Sequence, residues 1–168
     1  MRVKPFLVLT AAGVVAALAL GIGAATSGTA RCRPGPTKVG GKKATRFCGP
    51  ATAALHVGHN WFRLTGGSCA ATSEFFTINI GTVVFAPNQK VPYFGLSLGK
   101  YPRGPKNAKP AGKDGVYIRG VLVIRWHGGA WDITGYVRIT LKHDRSAGVF
   151  AGRTSFYPHR KVSGAFSC

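Results

Sequence analysis

The sequence predicts an all-β fold, a single antiparallel β-barrel or β-sandwich of about seven or eight strands. Three observations predict it. Residues 116–142 alternate side-chain character at period two on both sides of a Gly-Gly pair. Shorter runs of the same kind recur elsewhere, separated by polar turns. No stretch after residue 30 keeps the 3.6-residue period of a helix.

Residues 1–30 read as an export signal. Arg2 and Lys4 form a positive start, Pro5 to Ile22 is apolar, and small residues run from Gly23 to Ala30. That order is the signature of a secretory signal peptide. Cleavage is expected near Ala30, with Gly28 at −3; Ala25, with Gly23 at −3, is the second site. The alternative is a chain anchored in the membrane by residues 5–22, a run that nearly spans a bilayer. Arg31 precedes Cys32, so the cysteine lacks the small-residue context of a lipid attachment site.

The chain carries 23 Lys+Arg against 4 Asp+Glu, a net charge of +19 over 168 residues. Removing residues 1–30 takes Arg2 and Lys4 away and leaves +17 over 138 residues. That length supports one domain burying about two-thirds of its unfolded surface. It is too short for a multi-domain enzyme and too apolar, at 45% hydrophobic, for a disordered tail.

The four cysteines, Cys32, Cys48, Cys69 and Cys168, all follow the signal. An even count in an exported chain reads as two disulfides, with three connectivities open. The expected pairing is Cys32–Cys48 and Cys69–Cys168. The first would clip a basic segment, residues 31–50, in which no strand pattern is visible. The second would staple the last residue to an early strand. Without a CxxC pair, a metal site is not expected.

The strands are expected within residues 51–168. Ala53–Val57 and Trp61–Thr65 flank a turn at Gly58-His59-Asn60. Phe75–Phe85 alternates Phe76, Ile78, Ile80 and Val84 against Thr77 and Asn79. Tyr93–Leu98, Gly148–Phe156 and Val162–Cys168 complete the shorter set. In the long hairpin, a turn at Gly128-Gly129 would set Trp126 opposite Trp131, Arg125 opposite Asp132, Ile124 opposite Ile133 and Ile118 opposite Ile139. Arg119 would then face Arg138, a like-charge conflict.

Two acid-free stretches are read as lying outside the strands. Residues 31–47 hold Arg31, Arg33, Lys38, Lys42, Lys43 and Arg46. Residues 100–113 hold Lys100, Arg103, Lys106, Lys109 and Lys113 beside Pro102, Pro105 and Pro110. The first four of that loop recur every third residue, the period of a polyproline II edge. Such a concentration of cations attracts anionic polymers by steering and counterion release. Aromatics near bases are candidates for stacking: Trp61-Phe62-Arg63, Arg125-Trp126, Lys100-Tyr101, and Phe156-Tyr157 beside His159-Arg160-Lys161.

Catalytic chemistry has little to draw on. Glu74, Asp114, Asp132 and Asp144 are the only acids, and each has a strand or turn explanation. His56 and His59 straddle a strand end, which separates their rings; His127, His143 and His159 are scattered. No G-x-S-x-G and no phosphate-cradling glycine motif is present.

Gly67-Ser68-Cys69, Phe76-Thr77-Ile78-Asn79-Ile80-Gly81 and the final Gly164-Ala165-Phe166-Ser167-Cys168 resemble small exported actinobacterial β proteins. Distantly, they resemble the mycobacterial lipoprotein-antigen family typified by the 19-kilodalton antigen. There a cysteine precedes a similar I-x-I-G strand and a second cysteine closes the chain. The resemblance covers about a third of the mature chain. It implies a Cys69–Cys168 disulfide, a compact β fold and a cell-envelope location. The Cys32 and Cys48 pair, the missing lipid-attachment context and the strong positive charge depart from it. No catalytic residue carries over.

The resulting expectation is a secreted, non-catalytic, envelope-associated binding module without metal or cofactor. Its partner would be an anionic polymer or surface: lipid headgroups, wall polymers or nucleic acid. Its contacts would be Lys38, Lys42, Lys43, Arg46, Lys100, Arg103, Lys106, Lys109 and Lys113. The alternatives are a secreted hydrolase acting on envelope material and a structural or protein-interaction protein.

Overall fold

Alternation of inward apolar and outward polar side chains governs most of the long strands, while the strand Tyr93–Gly99 is buried at all but one position. The structure, a computed structural model, describes residues 32–86, 91–100, 104, 106–126, 137–155 and 158–168, and the backbone alone of 129–134. The expected signal peptide and its alternative anchor lie outside the described residues. No helix among the described residues is long and apolar enough to cross a membrane.

Twelve strands are present among the described residues. They are β1 (Gly35–Val39), β2 (Lys42–Arg46), β3 (Ala51–Val57), β4 (Asn60–Ala71), β5 (Phe75–Val84) and β6 (Tyr93–Gly99). Then come β7 (Gly115–Tyr117), β8 (Gly120–Trp126), β9 (Gly129–Thr134), β10 (Arg138–Lys142), β11 (Ala147–Arg153) and β12 (Lys161–Ser167). All pairings are antiparallel, in the order β7-β10-β11-β12-β3-β4-β5-β6-β8-β9, with β1 on β2 and β2 on β5. The sheet is not closed into a barrel by its ladders. Its two ends nonetheless lie in one hairpin, because β7 runs into β8 and β9 runs into β10. Taking each of those pairs as one arm leaves eight long strands in a meander, with the β1–β2 hairpin added.

One hydrophobic cluster fills the interior. Phe76, Ile78 and Ile80 of β5 pack there with Phe94, Leu96 and Leu98 of β6 and Leu122 and Ile124 of β8. Leu55, Ile139, Leu141, Phe150 and Phe166 complete the wall from the opposite strands. Phe94 meets Phe150 at 5.5 Å and Phe76 meets Phe166 at 5.6 Å between ring centroids. Each fully buried side chain of this size contributes about 2–3 kcal/mol of transfer free energy. Both expected disulfides are present, with Cα–Cα separations of 5.8 Å for Cys32–Cys48 and 5.7 Å for Cys69–Cys168.

The long hairpin departs from its expected register in two ways. First, Trp126 pairs with Gly129, Ile124 with Trp131, and Arg125 with Ala130 rather than Asp132. Every partner is displaced by two residues. A two-residue slip keeps each side chain on its own face, so in-out alternation is blind to it. Second, β7 is offset from β8 by one residue. Tyr117, not Ile118, faces Ile139. Tyr117 is therefore buried, and Val116 and Ile118, expected inside, point out. The same one-residue offset, with Ile139 opposite Tyr117, takes Arg138 out of the register that would set it opposite Arg119.

The outer surface of β5 and β6 carries a polar network. The Tyr93 hydroxyl donates to Asn79 Oδ1 at 2.6 Å, and Asn79 Nδ2 donates to Thr77 Oγ1 at 3.3 Å. Thr77 Oγ1 donates to the Leu96 carbonyl at 3.1 Å. Phe47 lies against the Tyr93 ring at 6.1 Å. Burial pushes the Tyr93 phenol up from 10.0 to about 12, opposed by the charge of Arg125. A folded pKa above the unfolded one stabilises fully below pH 10, and that contribution is lost as pH rises toward 12. Alkaline denaturation should therefore show a stability decline between about pH 10 and 12. Tyr93→Phe should remove that part of the slope and one late tyrosinate transition.

Candidate anion-binding surface

The N-terminal basic segment is a β-hairpin, which corrects the expectation that residues 31–47 lie outside the strands. Gly40 and Gly41 take φ of 54° and 75° and form a two-residue turn. Positive φ at both positions is what a tight hairpin of this kind needs. The segment escaped the alternation test because both strands have five residues and only Ala44 is buried. The Gly-Gly dipeptide between Thr-Lys-Val and Lys-Lys-Ala-Thr was the available signal.

The hairpin is held at three places. Cys32–Cys48 closes its open end. β2 pairs with β5 through Ala44–Val84, Thr45–Val83 and Arg46–Thr82. The Phe47 N–H donates to the Gly81 carbonyl at 2.9 Å, and the Phe85 N–H to the Lys43 carbonyl at 3.1 Å. This edge is free because β4 pairs with β5 only from Gly67 to Ala71. At Gly66 a bulge shifts the β3–β4 register, and β4 departs toward β3.

Lys38 and Lys43 sit directly opposite each other in the hairpin, both exposed. Like charges in that position destabilise a strand pair, so their solvation matters. With Pro36, Thr37, Ala44, Thr45 and Phe85 they line a groove of about 440 Å³. Phe85 is 70% exposed. It continues the outward face of β5, the face of Thr77 and Asn79, one residue past the strand's end. Lys42 and Arg46 are also exposed. At the same end of the sheet, where β3 turns into β4 and β11 leads to β12, Gly58, His59, Asn60, Arg160 and Lys161 line a second groove of about 620 Å³.

The other basic segment lies at the opposite end, between β6 and β7. The structure therefore does not bring the two stretches together. Lys100 is 3.9 Å from Glu74. Both groups are half exposed, so the pair contributes little stability. Lys106, Lys109 and Lys113 are exposed, and Arg103 lies outside the described residues. A turn at Lys106–Asn107 interrupts the polyproline-like edge. Buried Ala108 and Ala111 dock the loop, and the Tyr117 hydroxyl donates to the Lys113 carbonyl at 2.7 Å.

All three acidic side chains described, Glu74, Asp114 and Asp144, lie at this loop end. Asp114 accepts the backbone N–H of Asp144 at 3.1 Å and of Arg145 at 2.7 Å. These bonds hold a turn in which His143, Asp144 and Arg145 all take φ between 52° and 63°. Left-handed backbone at three successive non-glycine residues needs such support. Asp114→Ala should lower stability by about 1 kcal/mol, read as a shifted urea midpoint with unchanged slope.

The stacking candidates divide. Phe62 is core and meets Trp126 at 4.9 Å, whereas Trp61 is exposed beside Arg63. Tyr101, Phe156 and Tyr157 lie outside the described residues. His56 is on β3 and His59 in the turn that follows it. Among the described residues no cluster of three or more His, Cys, Asp or Glu side chains could hold a metal ion. Comparison with protein-family models, with curated proteins and with solved structures gives no match.

Proposed function

We propose that the protein is an exported, non-catalytic module that binds anionic polymers of the cell envelope or its surroundings, with the hairpin end as the main contact face. Residues 1–30 act as the signal and leave after Ala30. The two disulfides fit an oxidising compartment. The observation that carries the reading is the pairing of Lys38 with Lys43 beside exposed Phe85, at the end of the sheet away from every described acid. The lysines supply counterion release, and the ring supplies a face for a sugar or base. The 100–113 loop is a second, separate contact.

Salt-titrated binding to heparin and to DNA tests this. Changing Lys38, Lys42 and Lys43 together to Ala should weaken binding and flatten the dependence of log K on log salt by up to about 0.9 per lost contact. Changing Lys100, Arg103, Lys106 and Lys109 to Ala should weaken it independently. No binding at low salt, or hairpin variants that bind like the unaltered protein, would overturn the proposal.

A further inference from the structure

We propose that the outer face of β7, β10 and β11 is a docking surface for an anionic lipid bilayer. Ile118, Val116 and Val149 are 65%, 46% and 45% exposed. They are three of the five large hydrophobic side chains exposed among the described residues. Val116 and Val149 both stand opposite Thr140, on either side of it, so the three form one row across the sheet. Ile118 follows Val116 two residues on, beside the same row.

Their exposure is a product of the fold. The sequence pattern assigns Val116 and Ile118 to the core face, and the one-residue offset between β7 and β8 expels them. Such irregularities re-aim side chains in antiparallel sheets, and departures from a local pattern concentrate at functional positions.

Cations surround the row. Arg138 and Lys142 flank Thr140 on β10, both exposed. Lys109 and Arg119 line a groove of about 250 Å³ with Asn107, Val116, Tyr117 and Ile118. The nearest described acids are Asp114, whose carboxylate is occupied by two backbone N–H groups, and Asp144 at the turn beyond β10, 4.0 Å from Arg145. Aliphatic side chains ringed by Lys and Arg match a bilayer whose interface is negative outside and apolar beneath. A soluble polyanion would use the cations and leave the aliphatics without a role. A second copy of the chain would bring the same positive surface against itself.

The proposal stands apart from the hairpin reading, and its test separates the two. The full disulfide-bonded chain is floated with phosphatidylglycerol-containing and with pure phosphatidylcholine vesicles. Binding is expected to the first and not the second. Val116→Thr with Ile118→Thr keeps β-branched side chains on the strand. It should weaken vesicle binding about tenfold and leave heparin binding unchanged. Lys38, Lys42 and Lys43 changed to Ala should do the reverse. As a gain-of-signal measurement, Ile118→Trp should add a fluorescence component that shifts to the blue on vesicles. Four results would each overturn the proposal: absent flotation, a double-Thr variant that floats like the unaltered protein, an unshifted added fluorescence component in the Ile118→Trp variant, or a dimer in light scattering that protects this face.

Discussion

Replacing Cys69 and Cys168 together by serine should lower stability by about 4.7 kcal/mol, the figure for a closed loop near 100 residues. The two cysteines are 99 residues apart. Their bond ties the end of β4 to the residue after β12, and so restrains almost all of the sheet in the unfolded chain. Both cysteines pack against the core, so the loss includes contacts as well as chain entropy. The matching change at Cys32 and Cys48, 16 residues apart, should lower it by about 3 kcal/mol. It should do so locally, by freeing the hairpin. Thermal melts would show the contrast: a fall of roughly 15 °C for the long loop and a smaller one for the short loop. Equal shifts would mean that loop length does not set the order.

Gly67→Ala should be the most damaging single exchange at the base of the hairpin, at about 3 kcal/mol. A Cβ there would run into the Asn79 carbonyl oxygen and into Ile80 Cγ1 and Cα on the paired strand. Backbone atoms of a ladder cannot move aside as a flexible side-chain tip can. Gly67 is also the last residue of β4 that pairs with β5 before β2 takes over that edge. Displacing it disturbs the core and the seat of the anion-binding hairpin together. Its neighbour Gly66 is the control. It has φ of 81° and open space at its Cβ position, so Gly66→Ala should lower stability by only about 1 kcal/mol of backbone strain. Urea denaturation distinguishes the two. Heparin affinity should fall for Gly67→Ala more than for Gly66→Ala.

How far the fold could be read from the chain depended on how many apolar positions each strand presented. β5 shows five inward residues in strict alternation, and the expected Phe75–Phe85 differs from it by one residue. β1 and β2 bury one alanine between them, so their signal lay only in a Gly-Gly turn. The candidate site had the same asymmetry. Lys38, Lys42, Lys43 and Arg46 stand out as charge in an acid-free run. Phe85 carries no such mark, since it reads as one more apolar residue of its strand. Alternation sets it on the outward face with Thr77 and Asn79, and only the tertiary structure shows that this part of the face stays open.

The sequence by itself determined the β class, the inward faces of strands such as β3 and β5, and the four residues that form disulfides. These follow from local period and from composition, which need no knowledge of what lies across the sheet. Only the tertiary structure decided the register of the 115–142 hairpin, the outward turn of Val116 and Ile118, and the placement of the two basic segments at opposite ends. Alternation fixes a strand's register only modulo two residues and does not foresee an offset between β7 and β8 that reverses the face, and charge along a chain carries no direction in space. Both were settled by which strand edges met.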